Sequence, residues 1–192
     1  MPSSDTTERL RLALPPLDAR ARGRAAELDW DVSLLNAADT DERAILIRLA
    51  HPDLDDAVEA GVEEVVIGGE PMSPQLHFAV HEVVATQVIE DDPPEAFLTL
   101  KRLLASGRDH HEALHMLASV VSTQLWTAMH EQRPYGPEEH AKALAALPGS
   151  WDARCGSGEV VRARRPLAAA VVGAAVEGRK ASRPAGTPHL RA

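Results

Sequence analysis

The chain has 192 residues, 44% of them hydrophobic and only 3% aromatic, with a formal net charge of −9 and a single cysteine. That length and apolar content suit one domain of ordinary size with tails. The scarcity of rings favours a Leu, Val and Ala core between packed helices over a β-sandwich. The lone Cys155 excludes an internal disulfide and reads as an incidental free thiol.

The charge is unevenly placed: residues 1–37 sum to −1, 38–150 to −13 and 151–192 to +5. Nucleic acid binds through phosphate neutralisation by Lys and Arg, so the acidic middle is not expected to bind it, and binding through the basic tail is the weakest alternative. Met1–Ala13 has no apolar core of signal-peptide length and no twin-arginine pair. The longest apolar run, Leu167–Val176, falls well short of the roughly 20 residues a membrane span needs. A cytoplasmic location away from membranes is therefore expected.

Residues 1–37 mix Pro15 and Pro16, an arginine-rich patch (Arg20, Arg22, Arg24) and a short apolar stretch from Trp30 to Leu35 without sustained period. They read as an arm, partly disordered, with Trp30, Leu34 and Leu35 able to dock. Asp39 or Thr40 caps a helix through Ala44, Ile45, Leu46 and Leu49, which His51-Pro52 ends. A second short helix fits Asp53–Glu59, stopped by Gly61. Val62–Ile67 is β-branched and runs into Gly68-Gly69; with no second strand in view it reads as an extended connector.

Three stronger helices follow. Ser73 caps and Pro74 opens the first, which runs to about Glu90 before the break Asp91-Asp92-Pro93-Pro94. The spacing of Phe97, Leu98, Leu100, Leu103 and Leu104 gives the second, from Glu95, closed by Gly107 as a left-handed cap. Asp109 with Glu112 makes a capping-box-like start for the third, reaching about His130 through Leu114, Leu117, Val121, Leu125 and Met129. A last helix spans Glu138 to Leu147, and Trp151 folds back as a core anchor. The fold class is all-α, a small bundle of about four to six helices with an up-down-up core over residues 74–147. The domain is expected over 38–151, with 152–192 a basic, disordered tail.

Four histidines repeat one spacing, His77 with His81 and His111 with His115. Residues four apart stack on one helix face. His77 and His81 flank the stripe Leu76, Val80, Val83, Val84 and Val88, while His111 and His115 border Leu114, Leu117, Ala118, Val121 and Leu125. Short connections make successive helices antiparallel, so the first and third of this set run parallel, and each pair lies in the opening two turns of its helix. All four imidazoles are thus expected at one end of the bundle. A helix N-terminus disfavours protonation and keeps imidazole in its metal-ready neutral form, but it also repels a dication. Glu82, Asp109 and Glu112 are available to offset that charge, and His110 to replace or supplement another ring. A nitrogen-rich set suits Zn, Fe, Ni or Cu.

His111-Glu112-Ala113-Leu114-His115 also spells HExxH, in which the glutamate would be the base of a zinc protease. The string is short and starts in the first helical turn, with no downstream third ligand evident, so Glu112 is only a weak candidate catalytic base. Glu112 to His115 matches the Glu-x-x-His of di-iron bundles as well, but the first helix offers no second copy. Gln87 lies mid-stripe, where an unpaired amide would cost roughly 1–3 kcal/mol, and is expected to make a structural hydrogen bond or to orient a ligand. His51, His130, His140 and His189 read as surface or boundary residues.

The stretches HFAVHEVVATQ (His77–Gln87), DDPPE and RLLASGRDHHEALHMLASVV (Arg102–Val121) resemble the bacterial domain-of-unknown-function family 1841, and the likeness extends to about Trp151 with a weaker echo from Leu35. The resemblance implies that His77, His81, Glu82, Gln87, His111, Glu112 and His115 matter together, and it implies no activity.

The reading that follows is an uncharacterised helical-bundle protein with a histidine-rich metal site on two HxxxH pairs. Whether it is an enzyme stays open. The competing readings are a non-catalytic protein-interaction module with structural histidines, binding a protein partner or a second copy, and an anion site at paired helix N-termini.

Overall fold

A computed structural model describes residues 4–67, 70–133 and 136–155. The described residues are mostly helical: α1 (Ser4–Leu12), α2 (Ala19–Glu27), a 3-10 turn (Val32–Leu34), α3 (Thr40–Leu49), α4 (Pro52–Glu59), α5 (Pro74–Glu90), α6 (Pro94–Ala105), α7 (His110–His130), α8 (Pro137–Ala145) and α9 (Gly149–Cys155). The caps follow local chemistry. Asp39 accepts from the N–H groups of Asp41 and Glu42, Ser73 from Leu76 and Asp109 from Glu112, so each satisfies donors the first turn would orphan. Gly61 and Gly107 have positive φ of 70° and 86°, where a Cβ would be strained.

The main core joins α5, α6 and α7 through Val80, Val84, Val88, Phe97, Leu100, Leu103, Leu114, Met116 and Leu117, closed by Leu144 and Leu147. Partly buried Trp151 packs against it, as expected. A smaller layer of α2, α3 and α4 buries Ala21, Ala25, Ile47, Leu49, Leu54 and Ala57, and α3 and α4 both pack on α5. The corner between α3 and α4 therefore stands over the first turns of α5, and this places His51 against the histidine helices.

Three expectations change. Residues 1–37 carry α1 and α2, and Leu12 and Ala13 are buried in the main core, because one apolar end and an Arg9–Asp91 ion pair (2.8 Å) dock α1 without a long stripe. Trp30 and Leu34 stay exposed. Val65–Ile67 is a strand rather than a connector; it pairs antiparallel with Glu70–Met72, Val65 opposite Met72. The second strand, EPM, has no β-branched residue, so it gives no strand signal of its own. Leu76 and Val83, assigned to the buried stripe of α5, are exposed. The tail from residue 156 on, with His189, lies outside the described residues.

Candidate metal centre

Five imidazoles meet where the α3–α4 corner covers the starts of α5 and α7. His77 and His81 have ring centroids 4.6 Å apart and His111 and His115 4.5 Å, one helical turn apart in each case. Across the helices, His81 is 4.9 Å from His115 and His77 is 5.3 Å from it. The two pairs do converge. The fifth ring is His51, expected at the surface or boundary; it is buried, 4.5 Å from His81, 4.5 Å from His111 and 4.8 Å from His77. One nitrogen each from His51, His77, His81 and His115 lies within 4.8 Å of the other three.

Hydrogen bonds fix two tautomers. His51 Nδ1–H donates to the Ile47 carbonyl at 2.8 Å. His77 Nδ1–H points at the weakly accepting Met72 Sδ, 3.1 Å away. In both neutral rings Nε2 then carries the lone pair, the arrangement that orients a metal-binding histidine from behind. His51 Nε2 faces His111 Nε2 at 2.7 Å, an N–H···N contact between two imidazoles. The Nε2 atoms of His77, His81 and His115 are buried and make no hydrogen bond among the described residues. Three convergent ring nitrogens without partners would each cost about 1–3 kcal/mol.

Burial also governs their charge. Desolvation, reinforced by the neighbouring rings, lowers the pKa of His51 to about 3, His77 to about 4 and His115 to about 2, and lowers that of His81 further still. His111 is lowered too, against the pull of Asp109. At neutral pH the cluster is a set of neutral nitrogen donors.

Of the other predicted site residues, Glu82, Glu112, Asp109 and His110 make contacts outside the cluster, and Glu82 Oε1 is buried without a partner among the described residues. Glu82 Oε2 accepts from Arg43 Nε at 2.9 Å, and that buried guanidinium also donates to the Ala37 carbonyl. Glu112 pairs with Arg108 at 3.3 Å, and Arg108 also pairs with Asp152. Asp109 caps α7. His110 Nε2–H donates to the Leu12 carbonyl at 2.9 Å, which ties α1 to α7 and keeps this ring out of the cluster's contacts. Gln87 lines a cleft between α3 and α5 with Arg43, Glu82 and Thr86, and its Oε1 is buried without a partner among the described residues. The hydrogen bond or ligand-orienting contact expected of this amide is not seen at its oxygen among the described residues. Held by an arginine, Glu112 is poorly placed to act as a base.

His140, expected at the surface or boundary, is 0% exposed. Its Nδ1–H donates to Gln124 Oε1 at 2.7 Å, joining α8 to α7. His130 is exposed and stacks on Trp126.

Over residues 38–146, more than half its length, the chain matches the family described as Domain of unknown function (DUF1841). It is a helical protein of that family and carries a partly buried histidine cluster. The matched span includes all five clustered rings. No curated protein and no solved structure matches the chain. No helix among the described residues is long and apolar enough to cross a membrane.

Proposed function

We propose that this protein binds one transition-metal ion in a buried, all-imidazole site, with His77, His81 and His115 as ligands and the fourth position taken by His51 or His111. In this reading α5, α6 and α7 form an up-down-up core in which α5 and α7 run parallel. The observation that carries it is the gathering of one nitrogen each from His51, His77, His81 and His115 within 4.8 Å of one another, together with the buried Nε2 atoms of His77, His81 and His115, which have no partner among the described residues. Tetrahedral coordination at Zn–N distances of about 2.0–2.1 Å needs ligand atoms about 3.4 Å apart. From an outer limit of 4.8 Å, each ring would move inward by about 1 Å or less. Neutral nitrogen donors fit Zn, Fe, Ni or Cu and fit Mg and Ca poorly.

The anion-site alternative needs protonated rings, and burial holds these rings neutral. A purely structural cluster gives the Nε2 atoms of His77, His81 and His115 no partner among the described residues. Elemental analysis of freshly purified, untagged protein tests the proposal. About one equivalent of metal is expected in the wild type and little in His81→Ala. Substoichiometric metal that is the same in both proteins would defeat it, as would a melting temperature indifferent to chelators and to every added divalent ion.

A further inference from the structure

Four nitrogens hold the ion in the metal reading, on which this inference rests, yet five imidazoles meet at the site. The nitrogens that lie within 4.8 Å of one another belong to His51, His77, His81 and His115, and His111 is outside that set. Its ring stands 6.0 Å from His81 but 4.5 Å from His51. The proton between His51 and His111 has only one place to be. His51 Nδ1 faces the Ile47 carbonyl, which can only accept, so Nδ1 carries the proton and the lone pair of the neutral ring is on Nε2. His111 Nε2, 2.7 Å from that lone pair, is therefore the donor. A ring nitrogen has one in-plane lone pair. It takes the N–H of His111 or a metal ion, but not both at once.

His111 is also able to let go. It is only partly buried, whereas His51 is 8% exposed. Burial holds the His111 ring toward its neutral form against the pull of two exposed carboxylates, Asp109 and Asp18. An N–H turned away from His51 has water and these acceptors to meet, so its release strands no buried donor.

We infer that His111 is a stand-in for the metal and not a ligand: in the metal-free protein its Nε2–H occupies the lone pair of His51, and the ion displaces it to complete a site of His51, His77, His81 and His115. The contact keeps a buried nitrogen satisfied while the site is empty. It also opposes metal binding by the strength of one hydrogen bond, because that bond must break as the fourth coordination bond forms.

The test uses the full chain and Co(II), with affinity read by competition against a chelator near neutral pH and coordination read from the visible ligand-field bands. His111→Ala is expected to bind Co(II) with the bands of the wild type and about fivefold more tightly, the equilibrium value of an ordinary net hydrogen bond. His111→Gln keeps an N–H donor without an imidazole, and is expected to show the same bands with an affinity between those of the wild type and His111→Ala. Weaker binding or altered bands in either variant, once circular dichroism shows it folded, would make His111 a ligand and overturn the inference while leaving the metal site standing. A folded His111→Ala protein with wild-type affinity would overturn it as well, since nothing would then compete for His51 Nε2. Wild-type protein that binds no Co(II) would remove the metal reading and the inference together. Should the alanine variant not fold, His111→Gln decides alone, because loss of a ligand weakens binding and loss of a competitor does not.

Discussion

At His51 a single backbone hydrogen bond decides what the ring is able to do. The Ile47 carbonyl takes the Nδ1 proton, and the lone pair on Nε2 is left facing the cluster. His110, next door in sequence to a cluster residue, spends its Nε2 proton on Leu12 instead. His51→Ala should therefore weaken metal binding by at least roughly 10–100-fold, the range seen when even a supporting group is lost, while His110→Ala should leave it nearly unchanged. Isothermal titration of both variants checks this, and equal losses would contradict the assignment. The two HxxxH pairs were legible in the sequence because residues four apart share a helix face whatever the tertiary fold. His51 was not legible. It is a lone histidine before a proline, with no partner in its own helix, and only the packing of the α3–α4 corner onto α5 brings it inward. His140 was hidden for the same reason, since its partner Gln124 sits on another helix.

The helices that build the site announce themselves by their caps. Ser73 with Pro74, Asp39, Asp109 and Gly107 each do in the structure what their chemistry predicts. Ser73→Ala should cost about 1 kcal/mol in urea unfolding. It should weaken metal binding too, because the first turn of α5 carries His77. α1 and α2 were harder to read: their apolar contacts are few, and what holds them is long-range, as in Arg9 with Asp91 and the Leu12 carbonyl with His110. No local pattern encodes such contacts. Between elements, the buried Arg43 clamps α3 to α5 through Glu82. Arg43→Ala leaves a partly buried carboxylate unpaired, and a loss of about 2 kcal/mol is expected after allowance for the exposed part of Glu82. A change below a few tenths of a kcal/mol in the denaturation midpoint analysis would show that this pair is not what joins the two layers.

For the molecule as a whole, the cluster makes stability a function of pH. His51 and His77 have folded pKa values near 3 and 4, below the ordinary 6.5, because burial penalises their charged forms. Below pH 6.5 the unfolded chain binds protons that the folded chain refuses, so falling pH favours unfolding. No stability is lost above pH 6.5 from these rings. The loss grows through pH 5 and stops only below the folded values. At pH 5 each such ring contributes roughly 2 kcal/mol of destabilisation, and the several rings together rival the usual 5–15 kcal/mol stability of a domain. Metal-free protein in chelator should therefore unfold at much lower urea concentration at about pH 5 than at pH 7.5. An equivalent of bound metal should recover most of that difference, since a ligand that binds only the folded chain stabilises it. Circular dichroism at the two pH values, with chelator and with metal, measures both effects. A urea midpoint that does not move with pH in the chelated protein would mean that the rings are protonated or solvated in the folded chain, and the neutral, water-poor cluster on which metal binding depends would have to be given up.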